Sequence, residues 1–388
     1  MSKLEELIQQ LCPDGVEFVE IGQIAQVGTG SSNGNEADED GAFPFFVRSQ
    51  TVKRKNDYEY DEEAIIIPGE GGIGDIFHYI KGKYALHQRV YRIHFTTSSI
   101  NTKFAFYYMK SAFKQFILMK AVSATVVSIR KPMIEGFPIP VPPLPVQEEI
   151  VRILDNFAEL QAELQAELQK RLQQYNYYRD NLLSFEGRTD VEWKKLGEIA
   201  SIKTGRRFVR TDIRESGVPC FHYGDLYTYY GLTATQTKGY LDAELASKLR
   251  FAQPNDVVVV CAGENDMDIG VGVAWLGNEP AVVHDACCIV HHNQNPRYIS
   301  HFLRTHNYHL QMRRYVKKGK ISSLPASGLA EAIIPIPSLE EQEKIASILD
   351  RFDTLTTDIT AGLPAEIEAR RKQYEYYRDQ LLTFKQKA

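Results

Sequence analysis

Three glycines stand at the spacing of a nucleotide-binding loop, directly after an apolar run. Gly69, Gly71 and Gly74 form a G-x-G-x-x-G array behind "AIIIP". In dinucleotide-binding folds such an array opens a helix whose N-terminus binds phosphate. Here β-branched and aromatic residues follow, in "DIFHYIKGKYALHQRVYRIHF", and they predict a β-hairpin with its turn at residues 81–83. We therefore interpret the glycines as the turn of a strand–turn–strand element.

A second cluster contains side chains that could bind zinc. The stretch "HDACCIVHH" holds His284, Cys287, Cys288, His291 and His292, and Zn²⁺ is bound by such side chains. The matching stretch of the first half, "HQRVYRIHF", keeps two histidines but has Val and Tyr in place of the cysteines. Alternating apolar residues are typical of a half-buried strand. We predict a strand without a metal, and no cofactor motif is visible elsewhere in the sequence.

The positive charges are concentrated, although the net charge is −5. Residues 76–134 contain no Asp or Glu but ten Lys or Arg, and residues 286–330 contain no acid, seven Lys or Arg and five His. Clustered cations bind nucleic acids through counterion release. The two runs predict a basic face in each half of the chain and double-stranded DNA as the partner.

Base recognition requires planar or bidentate groups in loops. Two loops after similar strands, "FFVRSQ" and "CFHYGD", supply such groups, and the basic runs supply phosphate contacts. The candidate DNA-binding residues are Arg48, Ser49, Gln50, Lys53, Arg54, Lys55, Lys81, Lys83, Arg89, Arg206, Arg207, His222, Tyr223, Arg313, Arg314, Lys317, Lys318 and Lys320.

The elements that must position these residues occur twice in the sequence. Three segments recur in order: "VEFVEIGQIAQVGTG" as "VEWKKLGEIASIKTG", "IPVPPLPVQEEIVRILDNF" as "IPIPSLEEQEKIASILDRF", and "YNYYRDNLLSF" as "YEYYRDQLLTF". The pair Gly69-Glu70 matches Gly263-Glu264 in the same way. Their offsets place roughly 20 extra residues in the second domain and four in its helical segment. A repeat of this kind indicates two copies of one structural unit.

The recurring segments predict the architecture. Apolar residues at 3–4 spacing predict long helices at 146–187 and 339–388, and "GLP" at 362–364 should kink or restart the second. The remaining ranges, 1–145 and 188–338, are predicted domains. The expected fold class is α+β: two similar mixed α/β domains joined by two long antiparallel coiled-coil helices with pseudo-two-fold symmetry.

These repeated motifs resemble the DNA-specificity subunit of type I restriction-modification systems over nearly the whole chain. The resemblance implies two target-recognition domains, each of which reads half of a bipartite asymmetric site, and helices that set the spacer. It also implies two methyltransferase subunits as partners, which methylate adenine N6, and possible restriction subunits that translocate and cleave DNA. S-adenosylmethionine, ATP and Mg²⁺ would belong to those partners, not to this chain.

The same resemblance implies a docking role for residues of the repeated helix motifs. They are Gln147, Tyr175, Tyr178 and Arg179, with Gln342, Tyr374, Tyr377 and Arg378 in the second copy. Residues that only hold the coil together would show the same pattern, and for the tyrosines both interpretations stay open.

Two other functions are compatible with parts of the sequence. A non-enzymatic coiled-coil scaffold would lack salt-dependent DNA affinity, and an enzyme that acts alone would need a cofactor or metal motif. The charged amphipathic start "MSKLEELIQQL" is unlike a secretory signal, and no apolar run reaches the length of a membrane span. We therefore expect a cytoplasmic protein that is not catalytic by itself and has no membrane partner.

Overall fold

The computed structural model describes residues 3–72, 74–120, 128–263, 269–319, 321–358 and 360–387. The first half of the chain is a mixture of helices and strands. It contains α1 (Lys3–Leu11), α2 (Ile21–Ile24), α3 (Thr102–Lys120), α4 (Lys131–Glu135) and α5 (Leu144–Leu182), with β1 (Phe18–Glu20), β2 (Ala25–Thr29), β3 (Phe43–Phe46), β4 (Lys53–Lys55), β5 (Tyr60–Pro68), β6 (His78–Leu86), β7 (Val90–Phe95) and β8 (Pro138–Pro140).

The second half repeats this mixture with more, shorter strands. Its strands are β9 (Glu192–Lys195), β10 (Ala200–Thr204), β11 (Val218–Phe221), β12 (Thr233–Ala234), β13 (Gly239–Leu241), β14 (Phe251–Ala252), β15 (Val257–Val260), β16 (Ala262–Gly263), β17 (Gly272–Trp275), β18 (Ala281–Val283), β19 (Cys287–His292), β20 (Ser322–Ser323) and β21 (Ile333–Ile336). Its helices are α6 (Leu196–Ile199), α7 (Asp225–Thr228), α8 (Ala243–Ala246), α9 (Pro296–Phe302), α10 (His306–Met312), α11 (Ala326–Leu329), α12 (Leu339–Thr357) and α13 (Leu363–Leu381).

The chain forms two compact units. The first comprises Met1–Glu163 with Ala369–Ala388, and the second comprises Leu164–Glu368. Each has its own buried apolar core, in which strand residues such as Ile65 or Val258 pack against residues of the long helices such as Leu154 or Leu349. The predicted mixed α/β fold with two similar units is confirmed.

A six-stranded sheet in the order β2-β7-β5-β6-β3-β4 organises the first unit. Strands β5 and β6 pair antiparallel on either side of the three-glycine segment, so the predicted strand–turn–strand element is confirmed. The predicted turn at residues 81–83 is wrong, because these residues lie inside β6, where Gly82 pairs with Glu62. Gly82 leaves a gap among the side chains along β6 but does not end the strand. A Cβ on Gly82 would meet open space.

The second unit distributes the equivalent strands over two sheets, β10-β19-β15-β17-β12 and β13-β11-β18-β14. Six residues (47–52) join β3 to β4, whereas seventeen (222–238) join β11 to β13 and include α7 and β12. Much of the predicted insertion in the second domain therefore lies directly after β11. Residues 287–292 form β19, which confirms the predicted strand, and no cluster of three potential metal ligands occurs among the described residues.

One sequence match of the two halves needs correction. The amide of Gly69 donates to the carbonyl oxygen of Arg89 at 2.9 Å, and in the second unit the amide of Cys261 donates to that of Ala286 at 2.8 Å. The structural counterpart of Gly69 is therefore Cys261 and not Gly263. The Gly-Glu pairs at 69–70 and 263–264 are similar in sequence, and matching them shifted the alignment by two residues.

The long helices make matching aromatic contacts. In the first unit Phe157 of α5 stacks on Tyr377 of α13, with ring centroids 5.7 Å apart, and in the second Tyr178 of α5 stacks on Phe352 of α12 at 5.4 Å. Within the first unit α5 thus packs on α13, and within the second unit α5 packs on α12. The second helical segment restarts as predicted, since α12 ends at Thr357 and α13 begins at Leu363. Pro364 fits there because the first turn of a helix needs no proline N–H.

Candidate nucleic-acid interface

Three loops of the first unit meet around the short connection between β6 and β7. The β3 and β6 strands are parallel, and the amide of His87 donates to the carbonyl oxygen of Phe46 at 3.0 Å. The ring nitrogen Nδ1 of His87 accepts from the amide of Arg89 at 3.0 Å. These bonds fix the loops after β3, after β5 and before β7 against one another.

Two guanidinium groups converge on one carboxylate where these loops meet. Arg89 Nη1 lies 2.8 Å and Arg48 Nη1 3.1 Å from Glu70 Oε2. The hydrogen bond from Arg89 is the main cause that lowers the pKa of Glu70, and the hydrogen bond from Arg48 adds to it. Both arginine side chains are about half exposed. An exposed guanidinium fork can bind guanine O6 and N7 or a phosphate.

The neighbouring polar candidates are exposed and lie beside this cluster. Ser49 Oγ donates to the carbonyl oxygen of Thr51 at 2.8 Å, which stabilises the turn after β3. Gln50 and Lys53 are exposed on the same connection and at the start of β4. These three remain candidates for DNA contact.

Two basic residues of β4 have structural roles instead. Lys55 is only 12% exposed, and its ammonium lies 2.7 Å from Glu36 and 3.1 Å from Asp57. Arg54 donates to the carbonyl oxygens of Gly41 and Ala42. The charge of Lys55 is paired inside the unit and Arg54 is held by backbone acceptors, so both are weaker candidates for DNA contact than Lys53.

Lys81 and Lys83 lie within β6, before the loop that follows this strand. Lys81 lies 3.8 Å from Glu63, and the ammonium of Lys83 lies 4.5 Å above the ring of Tyr58. Both side chains project from a strand and not from the turn that the sequence suggested.

The second unit builds the same backbone scaffold. Strands β11 and β18 are parallel, and the amide of His284 donates to the carbonyl oxygen of Phe221 at 3.1 Å. Nδ1 of His284 accepts from the amide of Ala286 at 3.1 Å, as His87 does in the first unit. His87 and His284 thus hold equivalent turns, and this explains why both copies have a histidine there.

Apart from the shared histidine, the side chains on this scaffold differ from those of the first unit. Rings of His222, Tyr223, His284 and Phe208 cluster with centroid distances between 4.7 and 6.1 Å. They line a cavity of about 530 Å³ together with Arg207, Arg210 and Tyr227. Burial lowers the pKa of His222 and of His284, which favours the neutral rings, and Nδ1 of each ring accepts a backbone amide, from Gly224 and Ala286 respectively.

Arg206 and Arg207, the two arginines that follow β10, have different surroundings. Arg207 is exposed and lines the aromatic cavity. Arg206 donates to the carbonyl oxygen of Lys248 at 2.8 Å, outside that cavity. Arg207 is therefore the stronger candidate for contact with DNA.

The acid-free runs do not form uniform basic faces. Within the first run Lys114 pairs with Asp75 at 2.7 Å, and Lys103 pairs with Asp155 at 2.7 Å. Arg297 of the second run binds Glu343 and Asp350. Carboxylates from other parts of the chain thus neutralise many of these cations, which linear charge counting cannot reveal.

The densest basic segment follows α10. Arg313, Arg314, Lys317 and Lys318 are exposed, whereas Lys320 lies outside the described residues. Arg313 and Lys318 line a separate cavity next to the end of α5. This segment therefore remains a candidate for phosphate contact at a site of its own.

The two predicted docking glutamines are fully buried. Gln147 accepts from the amide of Asn101 at 2.8 Å and donates to the carbonyl oxygens of Ser99 and Pro142 at 2.9 and 2.6 Å. Its bonds tie the first turn of α5 to the start of α3. A side chain with no exposed surface cannot contact a partner, and the docking prediction for Gln147 is wrong.

Gln342 repeats this arrangement in the second unit. It accepts from the amide of Asn295 at 2.9 Å and donates to Pro337 and to Gln294 at 2.9 and 2.8 Å. These bonds tie the first turn of α12 to the start of α9. Gln342 is therefore also structural, and its docking prediction is wrong for the same reason.

The tyrosines of the repeated "Y-YYRD" motif divide into inner and outer residues. Tyr175 is buried and its hydroxyl lies 3.2 Å from Nδ1 of His301, so the docking prediction is wrong for Tyr175. Tyr374 is half-buried against Phe157. Tyr178 and Tyr377 are 39% and 40% exposed and remain candidates for docking.

Sequence reasoning missed the most exposed aromatic residue of each motif. Tyr177 is 64% and Tyr376 is 60% exposed. Each packs edge-on against the next tyrosine at 5.5 Å. The doubled "YY" in both copies was the available signal, since only one of two consecutive helical residues can face the seam.

The sequence matches a known family over most of its length. The family described as type I restriction modification DNA specificity domain covers residues 13–174 and 189–369. The specificity subunit of the type I restriction enzymes EcoR124I and EcoR124II from Escherichia coli is 38% identical over 64% of this chain and 63% of that relative. A putative type I restriction enzyme specificity subunit from Haemophilus influenzae is 29% identical over 89% of each chain.

Solved structures share the fold. The S subunit of a type I restriction-modification system from M. genitalium superposes with a TM-score of 0.54 at 16% identity, over 95% of both chains. A chain from a study of complex assembly and conformational transition of the type I system gives 0.60 at 15% identity, over 96% of this chain and 98% of that one. The chain belongs to the family of type I restriction-modification DNA specificity proteins.

Proposed function

We propose that this chain is the DNA-specificity subunit of a type I restriction-modification complex and that each unit reads one half of a bipartite, asymmetric site. One observation carries the proposal. The two units present loops on the same backbone scaffold, held by His87 and His284, but with different side chains. Equivalent scaffolds dock on DNA in equivalent ways, and different side chains select different bases.

The chemistry of the two loop clusters differs accordingly. Arg48 and Arg89 offer guanidinium forks that suit guanine edges. The cavity around His222 and Tyr223 offers neutral rings, a phenol and the guanidinium of Arg207, which suit apolar contact with a thymine methyl and single hydrogen bonds to base edges. Two unlike half-sites follow from these two surfaces.

We further propose that the chain assembles with two methyltransferase subunits and contributes no catalysis of its own. The family membership supports this role, and the Escherichia coli relative is named as a specificity subunit of restriction enzymes. S-adenosylmethionine would bind to the methyltransferase partners, and ATP and Mg²⁺ to two restriction subunits where these are present. Because the target is DNA, we place the complex in the cytoplasm; no helix within the described ranges could span a membrane.

The exposed tyrosines of the helical motifs are the proposed docking points. Tyr177 and Tyr178 in one copy, and Tyr376 and Tyr377 in the other, form paired rings of the same geometry, with interplanar angles of 70° and 72°. Exposed aromatic residues on rigid helices are typical anchors of protein interfaces. A repeated pair fits two copies of one partner.

A domain exchange tests the proposed division of labour. Residues 191–333 would be replaced by the matching segment of a relative, and the chimera would be co-expressed with the methyltransferase subunit. We expect the methylated motif to change in one half and to keep the other half and the spacer. Exchange of residues 16–138 is the matched control and should change only the opposite half. A change of both halves by either exchange would contradict the proposal.

A further inference from the structure

The first unit carries a charged triplet that connects three of its loops. Arg48, Glu70 and Arg89 each belong to a different loop, and the two arginines meet at one oxygen of the glutamate. In the described part of the chain each guanidinium binds Glu70 Oε2 through Nη1 alone, at 3.1 Å for Arg48 and 2.8 Å for Arg89. A guanidinium has five N–H donors, so most donors of both arginines face away from the carboxylate and can bind a ligand.

The second unit has no charge at the three equivalent positions. The backbone hydrogen bonds that both units share identify these positions. The counterparts are Tyr223 for Arg48, Ala262 for Glu70 and Ala286 for Arg89. All three charges are therefore absent together, yet the second unit builds the same turns. The scaffold does not require the triplet, and a role in ligand recognition explains its presence in the first unit.

The triplet carries one net positive charge. Its carboxylate is ionised, because the hydrogen bond from Arg89 lowers the pKa of Glu70 and the hydrogen bond from Arg48 adds to this effect. Asp75, in the same loop as Glu70, is paired with Lys114 at 2.7 Å. The residues of the first unit that lie outside the described ranges include no Asp or Glu. No acidic side chain of those residues can therefore add to the charge balance of the triplet.

The shared oxygen limits the distance between the two guanidinium groups. Both Nη1 atoms lie on Glu70 Oε2, at 2.8 and 3.1 Å, so they are no farther apart than about two base-pair steps of roughly 3.4 Å each. Each guanidinium fork can bind one guanine through O6 and N7. Two forks at this spacing match two guanines on separate base pairs, at most two steps apart.

Glu70 changes how these forks respond to DNA in two ways. As a common acceptor it restrains both arginine side chains, and donors that are already ordered lose less entropy when they bind. Its negative charge also repels phosphate and competes with it, which weakens the attraction to any duplex. The carboxylate therefore lowers affinity for DNA in general, while it favours the geometry that a base edge requires. A repulsive element of this kind raises specificity.

We propose that Glu70 is a positioning residue for base recognition, which orients Arg48 and Arg89 toward two guanines and suppresses binding to DNA that lacks them. The inference rests on the proposed DNA-reading function and deepens it, since it predicts two guanines, at most two steps apart, in the half-site that the first unit reads. It concerns this unit alone, because the second unit has no charged residue at the three equivalent positions.

A guanine analogue locates the two contacts. The full complex with its methyltransferase subunit would bind duplexes that carry the methylated motif, in the half that changes when residues 16–138 are exchanged. One guanine at a time would be replaced by 7-deazaguanine, which lacks the N7 acceptor. Two replacements, at most two steps apart, should each weaken binding by about tenfold. Arg48→Ala should abolish this effect at one of the two positions, and Arg89→Ala should abolish it at the other.

The variant Glu70→Gln distinguishes positioning from a structural role. It should bind a duplex of random sequence about threefold more tightly, while the loss of affinity at both guanine positions shrinks from about tenfold to about threefold. A damaged fold would weaken binding to both kinds of duplex. Asp75→Asn is the matched control, because it removes one negative charge from the same loop but from a residue that is paired with Lys114. It should leave the effect of 7-deazaguanine unchanged at both positions.

Three outcomes would overturn the inference and leave the proposed function intact. A half-site without two sensitive guanines, or with sensitive guanines farther apart, contradicts the predicted spacing. Weaker binding of every duplex by Glu70→Gln would make Glu70 a structural residue. An equal loss of guanine discrimination in Glu70→Gln and Asp75→Asn would assign the effect to the charge of the loop and not to the triplet. Absence of any methylated motif that depends on this chain would contradict the proposed function itself, and the inference with it.

Discussion

Replacement of Arg89 by alanine should weaken recognition of one half-site while the first unit stays folded. The side chain is 56% exposed and its ion pair with Glu70 is a surface pair, which typically contributes about 0–1 kcal/mol to stability. The backbone bonds of residue 89 with His87 and Gly69 do not need its side chain. We therefore expect the melting temperature to fall by no more than about 4 °C.

The effect on DNA should be larger and local. A bidentate arginine–base contact contributes about 1–3 kcal/mol of discrimination, which corresponds to about 5–150-fold in Kd. Competition binding of the assembled complex, with duplexes altered at one base pair at a time, measures this directly. The variant should lose discrimination at one or two adjacent positions in one half-site and keep it elsewhere.

The opposite change at the same cluster provides a control. Glu70→Gln removes the carboxylate that competes for Arg48 and Arg89, so affinity for DNA should rise and its salt dependence should steepen. The reasoning would be refuted if Arg89→Ala weakened all duplexes equally and kept discrimination at every position. Such a result would make Arg89 a phosphate contact without a role in base recognition.

Three further predictions concern stability and assembly. Gln147→Ala breaks three buried hydrogen bonds and should lower the free energy of unfolding by about 3 kcal/mol in urea titrations, with the affinity of the folded fraction for the methyltransferase unchanged. Tyr178→Ala and Tyr377→Ala should each weaken methyltransferase binding by about 1–2 kcal/mol in calorimetry, without a change in circular dichroism. Burial lowers the pKa of His292 to about 4, below its ordinary value near 6.5, so the unfolded chain binds the proton first as pH falls. Stability should therefore decline between about pH 6.5 and 4 by up to about 3 kcal/mol, and His292→Gln should flatten this decline in urea titrations across that range.

The duplication made most of the fold predictable. Repeated motifs located both long helical segments, and the "GLP" break separated α12 from α13 as expected. The histidines at 87 and 284 were aligned correctly, and they hold equivalent turns. Each of these signals is local in sequence, and the repeat supplies an independent second copy of it.

The structural roles of several candidate residues depend on contacts that are distant in sequence. Lys55 is paired with Glu36, and Gln147 is buried against Asn101. The sequence around Lys55 or Gln147 does not indicate these partners. The lysines around Gly82 suggested a turn, but pairing with β5 keeps the segment extended. Tyr177 was overlooked because the apolar seam alone does not show which flanking aromatic residue stays exposed.

The most direct test of the central claim is a genome-wide map of N6-methyladenine from cells that express the methyltransferase subunit with and without this chain. The account predicts methylation at one motif with two unlike halves and an unread spacer, present only when the chain is present. An assembled, active complex that methylates a symmetric or uninterrupted motif, or shows no motif that depends on this chain, would contradict the reading of two half-sites by two units.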